Sequence, residues 1–315
     1  MIAFSAALEP LRIANRVAGR DLYRWRLFSK DGGPVRSSNG IAVATDAAIG
    51  GAARQADFST IMLCSGLGAE RYSEPAVLQW LKRQARRGIE IGALCTGAHI
   101  LARAGLLDGC RCTIHWENLA GFHEAFPEID ATADLYEIDR NRFTCSGGTA
   151  ALDMMLHLIS IAHGEEFARS VSEQCLLDRI RGGHDHQRMP FGARFGRHHP
   201  RLARAVELIE VNLEEPLSLE SLAEQVDLSR RQLERLFRKY LGRAPARFYL
   251  ERRLERARQL LYQTDLPVME IALASGFVSA SHFTKCYGRL YGRTPRAERV
   301  GAPLEAPVAD PPRVP

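Results

Sequence analysis

Cys95 stands in "IEIGALCTGAHILARAG", between an apolar run and a helical pattern, with the small residues Ala93 and Gly97 two positions to either side. A small-x-Cys-x-small spacing at a strand-to-helix turn is the elbow that exposes a nucleophile at the C-terminal edge of a sheet. The helix N-terminus that follows would favour a thiolate there. His115 comes twenty positions later in "TIHW", and Glu9 lies in "AALEPL" on the first helical stretch. Together they could make a Cys, His and Glu site. Thr96 and Trp116 adjoin it, and the Trp116 ring offers a face for a ligand cation, although packing is the commoner use of such a ring. Two functions fit this set: covalent catalysis, or a sensing pocket that needs a cavity but no nucleophile. Cys64 ends an apolar strand run and reads as core. The "SGGTAALD" stretch after Cys145 opens a helix whose amides suit either a carboxylate or a plain cap.

The elements around these residues alternate. From Tyr23 to about Ile180, short apolar runs ("YRWRLFS", "FSTIMLC", "IEIGALC") are separated by amphipathic helical stretches such as 75–87. Runs buried on both faces between helices predict an α/β domain with a doubly wound, largely parallel sheet, flavodoxin-like, over residues 1–180. Such a domain usually opens with a strand, yet the first helix begins just after Met1. Either "MIAF" is a strand remnant or the natural start lies upstream, and the second is expected. Residues 181–200, with four Gly, two Pro, four His and four Arg, carry no hydrophobic period and predict a linker. Its His184, His186, His198 and His199 lack a cysteine or acid pair to complete a metal set, so no metal and no cofactor is expected. Residues 301–315 are proline-rich and predict a disordered tail.

Residues 201–300 are helical and contain an internal repeat. "LFRKYLGRAP" recurs as "CYGRLYGRTP", placing Ala223 with Ala272, Asp227 with Gly276, Leu233 with Phe283, Phe237 with Tyr287 and Pro245 with Pro295. Each half reads as helix-turn-helix. Ser218 caps the first helix of the first unit, and Ser229 with Gln232 makes a capping box for the second. Leu233, Leu236, Phe237 and Tyr240 share the inner face. That leaves Arg231, Glu234, Arg235 and Arg238 for a major groove, with Arg230, Gln232 and Lys239 near the helix ends. In the second unit Ser279 caps, and Ala280, Ser281, Thr284 and Lys285 face outward. A long helix from Ala246 to Tyr262 can hold two readers at a separation of roughly 34 Å, one DNA turn. Residues 197–300 hold 19 Lys and Arg against 13 Asp and Glu, so the basic excess of a +5 chain sits where DNA would bind.

Over about 201–299 the chain resembles the AraC family of transcription regulators, carried by "LSLESLAEQVDLSRRQLERLFRKYLGRAP" and "RLERARQLLYQTDLPVMEIALASGFVSASHFTKCYGRLYGRTP". Over residues 1–180, "ALCTGAHILARAGLLDG" followed by "TIHW" resembles the class I glutamine amidotransferase-like, PfpI-type superfamily, which maps its site to Cys95, His115 and Glu9. The joined pair resembles GlxA-type regulators, and within them the regulators of arginine, carnitine or glycine betaine catabolism. The resemblance implies contacts from the outward residues to double-stranded promoter DNA, activation through RNA polymerase, a vestigial rather than catalytic cysteine, and a small-molecule effector. A homodimer paired through the α/β domain is expected, since paired readers would lengthen the DNA site. No run approaches the roughly 18 apolar residues of a membrane span, and the start has no secretory signal, so a cytoplasmic location without membrane contact is expected. The seven cysteines suit reduced thiols. The alternatives are a cysteine hydrolase or amidase with an accessory DNA-binding domain, and a constitutive DNA-binding protein.

Overall fold

The computed structural model describes residues 1–51, 57–187 and 199–300. The chain divides into two compact units, Met1–Arg194 and Phe195–Pro315. In the first unit the element order is α1 (Ile2–Ala18), β1 (Phe28–Ser29), β2 (Val35–Arg36), β3 (Ala42–Val43), β4 (Ala47–Ala48), β5 (Thr60–Cys64), α2 (Pro75–Arg86), β6 (Glu90–Leu94), α3 (Ala98–Arg103), β7 (Arg111–Thr113), α4 (Trp116–Ala125), β8 (Asp130–Thr132), β9 (Tyr136–Asp139), β10 (Arg142–Cys145), α5 (Ala150–His163) and α6 (Glu165–Gln174). The main sheet runs β5-β6-β10-β9, parallel except for β9. Successive residues of central β6 serve opposite faces. Leu94 joins Phe143, Met154 and Ala7 beneath α1 and α5, while Ile91 and Ala93 join Trp80, Leu81, Leu101, Ile114 and Phe122 beneath α2, α3 and α4. This is the layered, largely parallel α/β architecture that the alternating pattern predicts.

Of the two readings of the start, the strand remnant is not seen, since Ile2 to Phe4 lie in α1. Two local expectations change. "YRWRLFS" contributes only the two residues of β1, because its backbone groups are taken by side chains instead of a ladder: Asn15 binds the N–H and C=O of Tyr23 at 2.8 and 2.7 Å, and the Asp46 carboxylate accepts from the Leu27 N–H at 2.6 Å. Cys64 is exposed at the end of β5 rather than in the core.

Among the described residues of the second unit the elements are all helices: Pro200–Val211, Leu219–Glu224, Arg230–Leu241, Pro245–Gln263, Val268–Ala274, Ala280–Tyr291 and Pro295–Val300. The predicted caps are present: Ser218 accepts from the Ser221 N–H, Ser229 and Gln232 close a reciprocal capping box, and Ser279 accepts from the His282 N–H. Leu233, Phe237, Phe283 and Tyr287 are fully buried, while Leu236 and Tyr240 are half-buried. Among the described residues no helix is long and apolar enough to cross a membrane.

His99, on the inner face of α3, is 1% exposed, packs edge-on against Phe122 at 5.0 Å, and among the described residues has no hydrogen-bond partner for either ring nitrogen. Burial, aided by the Arg103 charge, pushes its pKa down to about 4. The unfolded chain takes up this proton near pH 6.5, so the folded state loses stability as pH falls from there toward 4. His99→Leu should remove up to about 3 kcal/mol of that acid-side loss, while leaving stability at pH 7 equal or higher. Urea denaturation at a series of pH values checks both; an unchanged pH slope would refute the assignment.

Candidate functional site and nucleic-acid interface

The turn after β6 is built around Cys95, which adopts φ 60°, a left-handed conformation that a residue with a side chain occupies only under constraint. Two glycines supply the constraint. A Cβ on Gly97 would come within 3.0 Å of the Leu63 carbonyl, and one on Gly147 within 2.6 Å of the Cys95 Cβ. Ala93 and Gly97 were legible as the small pair; Gly147, which follows β10, closes the turn from another strand. Thr96 is buried, and its hydroxyl donates to the Gly66 carbonyl at 2.5 Å. Burial pushes the Cys95 thiol up, outweighing the downward pull of the Thr96 N–H, and the Glu117 carboxylate pushes it further up. Burial thus works against the thiolate expected at a helix start, because desolvation exceeds the effect of one amide.

His115 caps α4: its Nδ1 accepts from the Glu117 N–H at 3.4 Å, and its ring lies 5.6 Å from that of Trp116. Burial lowers its pKa, with Glu117 acting in the opposite direction. Among the described residues no hydrogen bond joins Cys95 to His115. Glu9 is not brought to this site. It is exposed and held by Arg12 at 2.6 Å, and the thiol that feels its charge is Cys175. The carboxylate whose charge acts on both Cys95 and His115 is Glu117, in the first turn of α4. Its signal was its place two residues after His115, where an acid suits a helix N-terminus. A cavity of about 450 Å³ in the same unit is lined by residues such as His157, Glu165, Arg169 and Asp178, and by none of the Cys95 cluster.

Residues 181–187, expected to begin the linker, are instead fastened to this unit. Arg181 reaches the Asp153 carboxylate at 2.5 Å and the Thr149 hydroxyl at 2.8 Å, and His184 meets Asp134 at 2.6 Å. The Gln187 amide donates to the carbonyls of Ile114 and Asp134, both at 2.9 Å, and to the Thr113 hydroxyl at 3.0 Å. The segment thus grips the backbone immediately before His115. Polar partners, which a search for hydrophobic periodicity does not weigh, hold it there. His198, most of the expected linker and the 301–315 tail lie outside the described residues.

On helix Arg230–Leu241, Arg231, Arg235 and Lys239 lie at i, i+4, i+8, exposed and without an acidic partner among the described residues. Arg230 and Arg238 are bridged by Glu234 at 3.3 and 3.4 Å, Arg230 also pairs with Glu220, and the Gln232 amide oxygen is used by the capping box. On helix Ala280–Tyr291, Ser281 and Lys285 are exposed while Ala280 and Thr284 are half-buried. Arg289 continues the line of Ser281 and Lys285, also exposed, and was missed although the repeat pairs it with Lys239. The repeat also appears in the turns, where Asp227 and Gly276 take φ 53° and 76°.

Comparison with known proteins agrees with both halves. A helix-turn-helix domain model matches residues 222–300, and the DJ-1/PfpI family model matches residues 7–161. The chain is 49% identical over 308 residues to the HTH-type transcriptional regulator GbdR of Pseudomonas aeruginosa, covering 98% of this chain and 83% of that one. It is 45% identical over 315 residues to CdhR of the same species, covering 100% and 93%. To GlxA of Rhizobium meliloti it is 38% identical over 301 residues, covering 95% and 92%. A crystal structure of an AraC family transcriptional regulator from Pseudomonas putida aligns with TM-score 0.51 and 29% identity over 56% of this chain and 92% of that one. The chain belongs to the AraC-type transcriptional regulators in which a DJ-1/PfpI domain precedes a DNA-binding helix-turn-helix domain.

Proposed function

We propose that this chain is a metabolite-controlled transcription activator: a zwitterionic or cationic, amino-acid-like compound binds beside Cys95 and changes how the two reader helices meet promoter DNA. The repeated outward line, Arg231, Arg235 and Lys239 on one reader and Ser281, Lys285 and Arg289 on the other, carries the DNA half. Basic side chains at helical spacing follow a groove wall, and an arginine can also pair with a guanine edge. For the sensing half, Cys95, Thr96, His115 and Trp116 form the ligand set, with Glu117 in the place given to Glu9. A carboxylate beside an indole suits a cation. The raised thiol and the absence of a Cys95–His115 hydrogen bond among the described residues support sensing without turnover. Recruitment of RNA polymerase and pairing of two copies through the first unit complete the reading, whose physiological output is the breakdown of amino acids or quaternary amines.

Gln187 offers the route outward. It holds the Ile114 carbonyl one residue before His115, and the chain proceeds from it toward the readers. A ligand that shifts His115 would loosen or tighten this hold.

Three outcomes follow. Cys95→Ala should retain metabolite-dependent activation of a promoter fusion; a wild-type protein that consumes the metabolite, with turnover abolished in the variant, would establish a cysteine hydrolase instead. Arg235→Ala should weaken binding to a selected operator by about 1 to 3 kcal/mol with little loss on random duplex, whereas Lys239→Ala should weaken both alike; titration at fixed salt separates them, and equal losses for both variants would refute the division. Gln187→Leu should leave the rise in melting temperature on adding metabolite intact while lowering the activation ratio in the same promoter fusion. An unchanged ratio would remove Gln187 from the route.

A further inference from the structure

The turn of the second helix-turn-helix rests on the loop that leads into the first. A Cβ on Gly276 would lie 2.6 Å from the Leu213 carbonyl oxygen, 2.8 Å from the Pro216 Cγ and 2.9 Å from the Glu214 carbonyl oxygen. Two of these neighbours are backbone, so nothing there can yield cheaply. Asp227, at the equivalent turn of the first unit, has the same left-handed conformation but is exposed and keeps a side chain. Backbone conformation alone therefore does not explain glycine at 276; the approach of loop 213–216 does.

Helix Pro245–Gln263 holds both sides of this contact through residues one turn apart. The Tyr249 hydroxyl donates to the Asn212 carbonyl at 2.5 Å and accepts from the Leu217 N–H at 3.1 Å, closing the loop. Arg253 donates to the carbonyls of Ser275 and Gly276 at 2.9 and 2.5 Å, and its guanidinium lies 4.1 Å over the Phe277 ring.

We propose that Gly276 and Arg253 are positioning residues for DNA recognition: they dock the second reader's turn on loop 213–216, so that the spacing of the two readers is set by this contact and not by the connecting helix alone. The proposal rests on both readers meeting DNA.

The test uses the full chain and duplexes carrying the selected recognition element for the first reader alone, or both elements at separations varied around roughly one helical turn. Wild-type protein should show a sharp optimum of separation. Gly276→Ala should lose about ten-fold or more on the two-element duplex, the scale of an overpacked contact, and flatten or move that optimum, with first-element binding unchanged. Gly292→Ala is the control, since Gly292 has φ 71° and open space around its Cβ position. It carries the same backbone cost and should keep the optimum. Arg253→Lys, which retains charge but loses the paired donation, should broaden the optimum and serves if Gly276→Ala does not fold. An unaltered optimum in Gly276→Ala, or in Arg253→Lys where that variant is needed, overturns the proposal, as does equal loss on both duplex types. Wild-type protein indifferent to the second element would instead defeat the two-reader reading beneath it.

Discussion

Helix Pro245–Gln263 is rich in arginine, yet much of that charge is directed at the protein rather than at solvent. Arg252 pairs with Glu210 at 2.7 Å, Arg253 with two turn carbonyls, and Arg258 with the fully buried Glu298 at 2.7 Å. Glu298 also accepts from Tyr262 and lies 3.3 Å from Arg293. Burial alone would raise its pKa, but the Tyr262 and Arg258 hydrogen bonds outweigh it and hold the carboxylate below its usual range. Buried ion pairs of this kind contribute little net stability, because desolvation offsets the attraction; their value is in admitting one geometry. A bundle held only by leucines would tolerate rotation of one reader against the other, whereas bidentate guanidinium contacts do not. The spine thus converts two short helix-turn-helix units, neither able to bury enough surface alone, into one oriented body.

The first unit spends constraint differently. At Cys95 a left-handed residue is held between Gly97 and Gly147, an arrangement that would cost about 1 to 3 kcal/mol without its surroundings. In an enzyme such strain presents an activated nucleophile. Here the geometry persists while burial pushes the thiol up, away from ionisation. On the proposed sensing reading, a strained turn whose thiol is disfavoured from ionising offers a defined surface at the sheet edge, whereas covalent catalysis would also need the thiolate.

Local features were readable in the sequence, and contacts between distant segments were not. Ser229 and Gln232 announce the first reader because a capping box spans four residues. Leu233 with Phe237, and Phe283 with Tyr287, reveal the inner faces because helical periodicity is local. Glu117, and not Glu9, is the carboxylate whose charge acts on Cys95 and His115, because this depends on where α1 packs, which spacing does not encode. Gly147 acts on Cys95 from the end of the neighbouring strand, about fifty residues away in sequence, and Gly276 meets a loop about sixty residues earlier. Gln187 lies in a segment whose composition says linker and whose hydrogen bonds say otherwise. Arg289 differs from these, since the repeat alone places it opposite Lys239.

That contrast bears on how the proposed signal would leave the sensor. Switching needs a coupling of only about 1 to 3 kcal/mol between sites, and a hydrogen bond exchanged with water is worth about 0.5 to 1.5 kcal/mol. The Gln187 amide makes three contacts on the backbone and side chains around Ile114. Losing or securing that hold lies in the right range to shift a population without unfolding anything. A hydrophobic anchor of the same extent would be harder to release, since its stabilisation is proportional to area and has no competing partner in solvent. Under the proposed reading, a polar latch at Gln187, ahead of readers oriented by buried charge, would place the adjustable step where the energies are small and the rigid step where two readers need a fixed spacing.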